Sequence, residues 1–315
     1  MSQINTSNEA TKDRRKSPSL LINAASNWTA LFVAVAIGFF LTPFIIDHLG
    51  KTGFGIWKVI ASIIGYYGLI DIGCSHAITR YIARYAEQKA YKAFNEIIST
   101  ALAIFMVMGL SCIVLSFVLA DPVANFFNVP ANQVEDFRYA VWLLSLVIGI
   151  GLLASTFDAV ICAHEFYIIS NSVGICGNLL RAGLVVYTLS HGMGFIGLVY
   201  AHLVQASIVA IIYFILCKTL FSYFQPRFYK IKKSVLRALF AYSFMASVMT
   251  MVDFLRLEIG TIIVGRFIGL SALALYAVPL ILIRYFRQLI ISCTERLFVP
   301  RFAALEAEGK RKELN

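Results

Sequence analysis

The sequence predicts an all-α fold: a polytopic transmembrane bundle of about eight spans, forming one six-helix lobe and the first hairpin of a second. Three observations predict it. The 315 residues are 59% hydrophobic and only 14% charged, with a mean hydropathy of +0.78, outside the range of soluble domains. A single hydrophobic core stops growing at roughly 250–300 residues, so a soluble domain of this length could not hide so much apolar side chain. The apolar residues also cluster into uncharged stretches such as "ALAIFMVMGLSCIVLSFVLA" (101–120), and about 20 such residues cross a bilayer core as a helix. These stretches recur along the whole chain, which excludes a secreted protein carrying one signal peptide.

Residues 1–19, with "TKDRRKSP", form a polar, basic cytoplasmic tail that is disordered or lies on the membrane surface. Six spans follow within the lobe 20–217, near 20–46, 55–79, 95–120, 139–163, 166–189 and 195–217. A basic cytoplasmic linker occupies 218–235, and 236–315 opens a second lobe with spans near 236–264 and 270–299 before a cytoplasmic tail. Turn formers separate the spans, as in "DHLGKTGFG" and "SHGMGF". Orientation follows from Lys and Arg. "KDRRK", "RYIARYAEQKAYK", "KTLFSYFQPRFYKIKKSVLR" and "GKRK" fall on one side, whereas "DPVANFFNVPANQVED" and "SHGMG" fall on the other. Both termini are therefore expected in the cytoplasm and the protein in the cytoplasmic (inner) membrane. The net charge of +10 resides in juxtamembrane loops, where it meets anionic lipid rather than nucleic acid.

Several motif matches carry no chemistry. "GMGFIG" (192–197) fits the dinucleotide fingerprint by letter but has no preceding strand. The six cysteines contain no C-x-x-C pair, arguing against a disulfide framework or zinc site. His164–Glu165, beside a short loop, is read as solvated rather than metal-bound. No nucleophile–base pattern is visible, so neither an enzyme nor a cofactor is expected.

Polar residues within the spans carry more information, because each is expensive in lipid and faces the bundle interior or a water-filled cavity. Asn171, Gly174, Asn178 and Arg181 recur at helical spacing along the fifth span. Asn23 and Asn27 form a shorter stripe in the first, and Tyr67, Asp71 and Ser75 another in the second. In the eighth, Arg284, Gln288 and Glu295 share a face with Arg287 at its edge. Asn and Ser can serve simply as interhelical hydrogen-bond glue. Arg181, Arg284 and Arg287 need partners and leave positive charge for an anionic guest.

The seventh span carries Asp253, Arg256 and Glu258 within "MVDFLRLEIGTIIVG" (251–265). At 1.5 Å per residue, Asp253 and Arg284 lie about 17 and 21 Å from the connecting turn on antiparallel helices. Asp253 is expected to pair with Arg256, Arg284 or both, with Glu258 pointing elsewhere and nearer the surface. Such a pair either fixes helix packing or acts as a relay that releases an arginine to substrate.

An internal repeat aligns "IIDHLGKTGFGIW" (45–57) with "IIVGRFIGLSALALY" (262–276), placing Gly50 on Gly269, Phe54 on Leu273 and Trp57 on Tyr276. The seventh and eighth spans thus read as a second, parallel copy of the first two.

"TPFIIDHLGKTGFGIWKVIASIIGYYGLIDIGCSHAITRYIARY" and "AHEFYIISNSVGICGNLLRAGLVVYTLSHGMGFIGLVYAHL" resemble polysaccharide (O-antigen type) flippases of the multidrug/oligosaccharidyl-lipid/polysaccharide exporter superfamily. The resemblance implies two six-helix lobes about a cavity that alternates between membrane faces and carries lipid-linked glycans of the polyprenyl-diphosphate type outward. Cavity arginines would meet the diphosphate or an acidic sugar. The implied partners are that lipid-linked glycan, membrane lipids and glycan-assembly proteins. On this resemblance the chain, holding one lobe and one further hairpin, is expected to be incomplete at its C-terminal side. A multidrug or metabolite exporter of the same superfamily, or a non-transporting scaffold for glycan assembly, remains the alternative. Arginine in the spans favours an anionic substrate.

Overall fold

In the computed structural model of the protein, residues 20–68, 74–226, 251–252, 255–256 and 258–287 are described, and all their regular structure is helical. Helix α1 (Leu20–Gly68) is 49 residues long and is broken only at Gly50, with φ 66° and ψ 174°. The expected nine-residue connection between the first two spans therefore contracts to one residue. Glycine permits this because it pays no Cβ penalty at positive φ. Then come α2 (Cys74–Glu87), α3 (Tyr91–Phe126), a 3₁₀ turn (Ala131–Gln133), α4 (Val134–Ala163), α5 (Tyr167–Ser190) and α6 (Gly194–Leu220). Helix α7 (258–268) passes into a π-helical turn, Val264–Ile268. Gly269, at φ 121° and ψ 166°, leads into α8 (270–287).

Six helices among the described residues are long and apolar enough to cross a membrane. Helix α3 shows why the bundle suits lipid. Val107, Leu110, Val114 and Phe117 are exposed along one face, while Phe105, Met108, Cys112 and Ser116 on the other are buried. A helix apolar all round belongs in a bilayer. Two core clusters stack along the bundle axis. One, around Phe54, Phe137, Leu144, Leu198 and Leu273, fills the end bearing Gly50 and Gly269. The other, around Ile82, Phe94, Phe105, Ile161 and Phe221, fills the opposite end.

The connections are tight. Gly192 (φ 73°) and Gly194 (φ 59°) turn α5 into α6, so the glycines of "GMGFIG" serve a helix–helix hairpin. Between α4 and α5, Glu165 also has positive φ, 63°. His164 beside it is half-buried rather than solvated as expected. Its Nδ1–H donates to the Val160 carbonyl (2.8 Å), which leaves Nε2 to accept from the Tyr223 hydroxyl (2.6 Å). Burial holds its pKa below the ordinary histidine value, against a smaller upward pull from the Val160 carbonyl. The Tyr223 carbonyl accepts from Asn95 Nδ2 (2.8 Å), and Asn95 Oδ1 accepts from the Gln225 N–H (2.7 Å). These bonds fasten the segment after α6 to the start of α3.

The α7–α8 hairpin docks against the α1–α6 bundle at the Gly50 end. Thr52 and Ser271 hydroxyls lie 3.1 Å apart, and Arg266 Nη1 donates to the Phe126 carbonyl (2.8 Å). A Cβ on Gly55 would fall 2.0 Å from the Leu270 carbonyl oxygen, so the absence of a side chain lets the two backbones meet.

Candidate functional site

The second half of α1 carries Lys58 and Ser62 four residues apart, hence on one helical face. Facing them are Glu258 and Thr261 of α7 and Arg284 of α8, around a cavity of about 70 Å³. Glu258 is only 4% exposed. Its Oε2 accepts from the Ser62 hydroxyl (2.8 Å), whose oxygen also lies 3.0 Å from the Lys58 carbonyl. Its Oε1 accepts from Arg284 Nη2, completing an ion pair. Lys58 Nζ sits 5.1 Å above the Phe54 ring, a cation–π contact that steadies it beside the cavity. Two bases and one acid thus share a buried seam, with the Arg284 side chain still 43% exposed.

This corrects the expectation that Glu258 points away from Arg284. Glu258 lies 11 residues before Gly269 and Arg284 lies 15 after it, an offset of about 6 Å at 1.5 Å per residue. Side chains tilt toward their own helix N-terminus. On antiparallel helices that tilt carries Glu258 inward and Arg284 back toward the turn, closing the gap. Asp253, expected as the partner, lies outside the described residues, as do Asp71, Gln288 and Glu295. Arg256 is helical and exposed, and Arg287 is half-buried.

A second polar cluster joins α1, α5 and α6. His202 Nδ1–H donates to the Leu198 carbonyl (2.7 Å), so Nε2 accepts from Arg181 Nη1 (3.2 Å). Arg181 Nη2 donates weakly to Asn178 Oδ1 (3.4 Å), while its buried Nε has no partner among the described residues. The His202 ring packs on Trp57, centroids 5.3 Å apart. Asn171 faces α1 instead, donating to Asn27 Oδ1 (2.6 Å) and Ser26 Oγ (3.0 Å). The predicted stripe therefore divides: its start ties α5 to α1, and its end holds a guanidinium. Trp57 and Lys58 are adjacent in sequence, so α1 links the Arg181 cluster to the Glu258 cluster.

Sequence reading missed Lys58, Ser62 and His202. The available signal was a basic residue and a hydroxyl at i, i+4 within an apolar run, together with a lone histidine within the sixth span. Asp158, another acid within the spans, accepts from the Ser170 hydroxyl (2.5 Å), and Tyr213 donates to the Ser170 carbonyl (3.2 Å).

Long apolar helices enclosing charged side chains where α1 meets α7 and α8 define a multi-pass membrane helix bundle. Solved structures agree. A MOP superfamily transporter from Pyrococcus furiosus Vc1 (DSM3638) matches with TM-score 0.58 at 13% identity, covering 90% of this chain and 73% of that one. An outward-facing multidrug resistance MATE family transporter matches with TM-score 0.60 at 12% identity, again covering 90% and 73%. The chain belongs to the polysaccharide biosynthesis protein family, which matches residues 20–306. Among curated relatives, a Shigella flexneri protein described as an O-antigen transporter is 21% identical, covering 61% of this chain and 46% of its own length. The uncharacterized membrane protein EpsK of Bacillus subtilis (strain 168) is 25% identical over 93% of this chain and 58% of its own. A Yersinia pseudotuberculosis protein described for O-antigen export is 23% identical over 64% and 58%. The chain thus spans about half the length of these relatives.

Proposed function

We propose that the chain forms part of a flippase that moves lipid-linked oligosaccharide or polysaccharide precursors across the cytoplasmic membrane by alternating access. The observation that carries this reading is the Lys58–Glu258–Arg284 seam. A buried carboxylate holds a half-exposed arginine at the junction of the α1–α6 bundle and the α7–α8 hairpin. A diphosphate entering between the two units competes with Glu258 for that guanidinium, because phosphate oxygens match the same donor fork. Binding then frees Glu258 from Arg284 and loosens α7 against α8, leaving the Ser62 bond as the tie to α1 and coupling guest to movement of the hairpin. Arg181, whose buried Nε–H has no partner among the described residues, supplies a second anion-seeking group. Asn178, Arg256, Arg287, Asp253 and Asp71 complete the cavity candidates, while Asn171 and Asn27 brace its wall. The division into a lobe at 20–217, a linker at 218–235 and a second-lobe start at 236–315 belongs to the same proposal, as do cytoplasmic termini. Lipid-linked glycans of the polyprenyl-diphosphate type, membrane lipids and glycan-assembly proteins are the partners it implies. The names of the Shigella and Yersinia relatives support this substrate class.

The test is complementation in the native host with the complete reading frame, scoring surface glycan and membrane protein level together. Arg181→Ala and Arg284→Ala should each abolish surface glycan at unchanged protein level. Wild-type glycan in both variants would remove the arginines from the path. Drug sensitivity with normal glycan would move the protein to the exporter class.

A further inference from the structure

A second cavity lies on the opposite flank from the charged seam. Leu102 and Met106 of α3, Leu153 and Phe157 of α4, and Phe214 and Lys218 of α6 line a groove of about 410 Å³. Phe224, Gln225 and Pro226 close it beyond the end of α6. Met106 and Phe214 are among its exposed apolar residues, so the groove opens toward the surrounding lipid. Lys218 carries the only formal charge among the lining residues. It sits in the last turn of α6, with Nζ held 5.4 Å over the Phe214 ring at the rim.

The dimensions fit within one leaflet. Lys218 is two residues from the end of α6, and Leu153 is ten residues from the neighbouring end of α4. At 1.5 Å per residue Lys218 lies about 3 Å from the end of α6, Leu153 about 15 Å from the end of α4 and Met106 about 22 Å from the start of α3. These helices overrun a core of about 30 Å by about 5–12 Å at each end, so Lys218 falls at the interface and the trough reaches roughly 10 Å below it. Half of a bilayer hydrocarbon core is about 15 Å thick. An apolar trough within that depth, crowned by a single cation at the interface, is complementary to an amphiphile with one anionic head and an acyl chain.

We propose that this groove binds an anionic phospholipid of the bilayer, one acyl chain lying along Met106, Leu153 and Phe157 and the phosphate against Lys218. Helices α3, α4 and α6 build it, whereas α1, α7 and α8 build the seam, so the bound lipid is a resident of the bundle rather than its cargo.

The test is native mass spectrometry of the chain extracted from vesicles of equal phosphatidylglycerol and phosphatidylcholine. Wild type should retain one phosphatidylglycerol in preference to phosphatidylcholine. Lys218→Gln should retain it about five-fold less, the factor one lysine contributes beside an anionic surface. Met106→Trp, which fills the trough and leaves Lys218 intact, should lose it as well. Lys92→Gln, an exposed lysine outside the groove, should behave as wild type. Equal retention of the two lipids, retention unchanged in Lys218→Gln, or an equal loss in Lys92→Gln would overturn the proposal. So would displacement of the lipid by a polyprenyl diphosphate, which would make the groove a cargo site.

Discussion

Replacing Glu258 by alanine removes the carboxylate that joins α7 to both Ser62 and Arg284. Two bases then face the same cavity without an acid among its lining residues. Deleting one partner of a buried ion pair costs about 3–5 kcal/mol. Arg284 is 43% exposed, so water screens its share, and discounting by that exposure leaves about 2–3 kcal/mol. At roughly 2–4 °C per kcal/mol for domains of this order of size, the melting midpoint should drop by about 4–12 °C. The assay is fluorescence-detected thermal unfolding in detergent for wild type, Glu258→Ala, Arg284→Ala and the double variant. The cycle should show a coupling of about 1–2 kcal/mol, because each single change disables the same bond. Glu258→Gln should fall between wild type and Glu258→Ala, since its amide oxygen still accepts from Ser62. An unchanged midpoint in Glu258→Ala, or strictly additive losses, would refute the Glu258–Arg284 pair as an energetic link between α7 and α8.

Other outcomes follow from individual contacts. His164 is held below its ordinary pKa by burial. The unfolded chain therefore takes up a proton near pH 6.5 that the folded chain refuses until lower pH, and stability is lost as pH falls through that window. Melting curves between pH 7.5 and 5 should show a shallower acid decline in His164→Gln than in wild type; identical slopes would mean that His164 contributes nothing to acid sensitivity. Gly55→Ala forces a Cβ against the Leu270 carbonyl and should cost about 1–3 kcal/mol. Gly151→Ala has open space around the new Cβ and should be neutral or gain up to about 1 kcal/mol from helix propensity. Equal midpoints for those two variants would contradict the close approach of α1 to α8. Asn171→Ala removes two bonds, to Asn27 and Ser26, and should cost about 0.6–1.2 kcal/mol at the usual worth of an interhelical hydrogen bond in a membrane. A loss above about 2 kcal/mol would show that Asn171 does more than join two helices.

Much of the fold was legible because a bilayer leaves little choice: long apolar runs must be helices, since every backbone polar group needs a partner within the segment. The repeat was legible too. Gly50 and Gly269, aligned across a small gap by position, both adopt positive φ with extended ψ at helix-hairpin tips. The aligned Phe54 and Leu273 are both fully buried, whereas Trp57 is buried and its counterpart Tyr276 exposed. The extents of α1 and α3 were less visible. Polar letters at 47–53 and the Pro122 region resemble loops, yet helix continues through "KTG" and through Pro122, because helices longer than the hydrocarbon core project into water and accept polar residues there. The partners of the buried charges were least visible. Spacing shows which side chains share one helix face, but Glu258 meets Arg284 through the tilt of two opposed helices and a register set by Gly269. Lys58 and Ser62 enter because α1 folds back at Gly50, a contact separated by 196 residues between Ser62 and Glu258.

That separation has a consequence for biogenesis. Acidic and basic residues within a nascent membrane helix oppose partition from the translocon, by up to about 2.5–3.5 kcal/mol at its centre, and α7 and α8 bring Glu258 and Arg284. Synthesis delivers Lys58 and Ser62 to the bilayer long before either helix emerges. The earlier helices then act as an intramolecular template: they offer the late hairpin a ready polar berth, so its release into lipid is tied to completion of the bundle that precedes it.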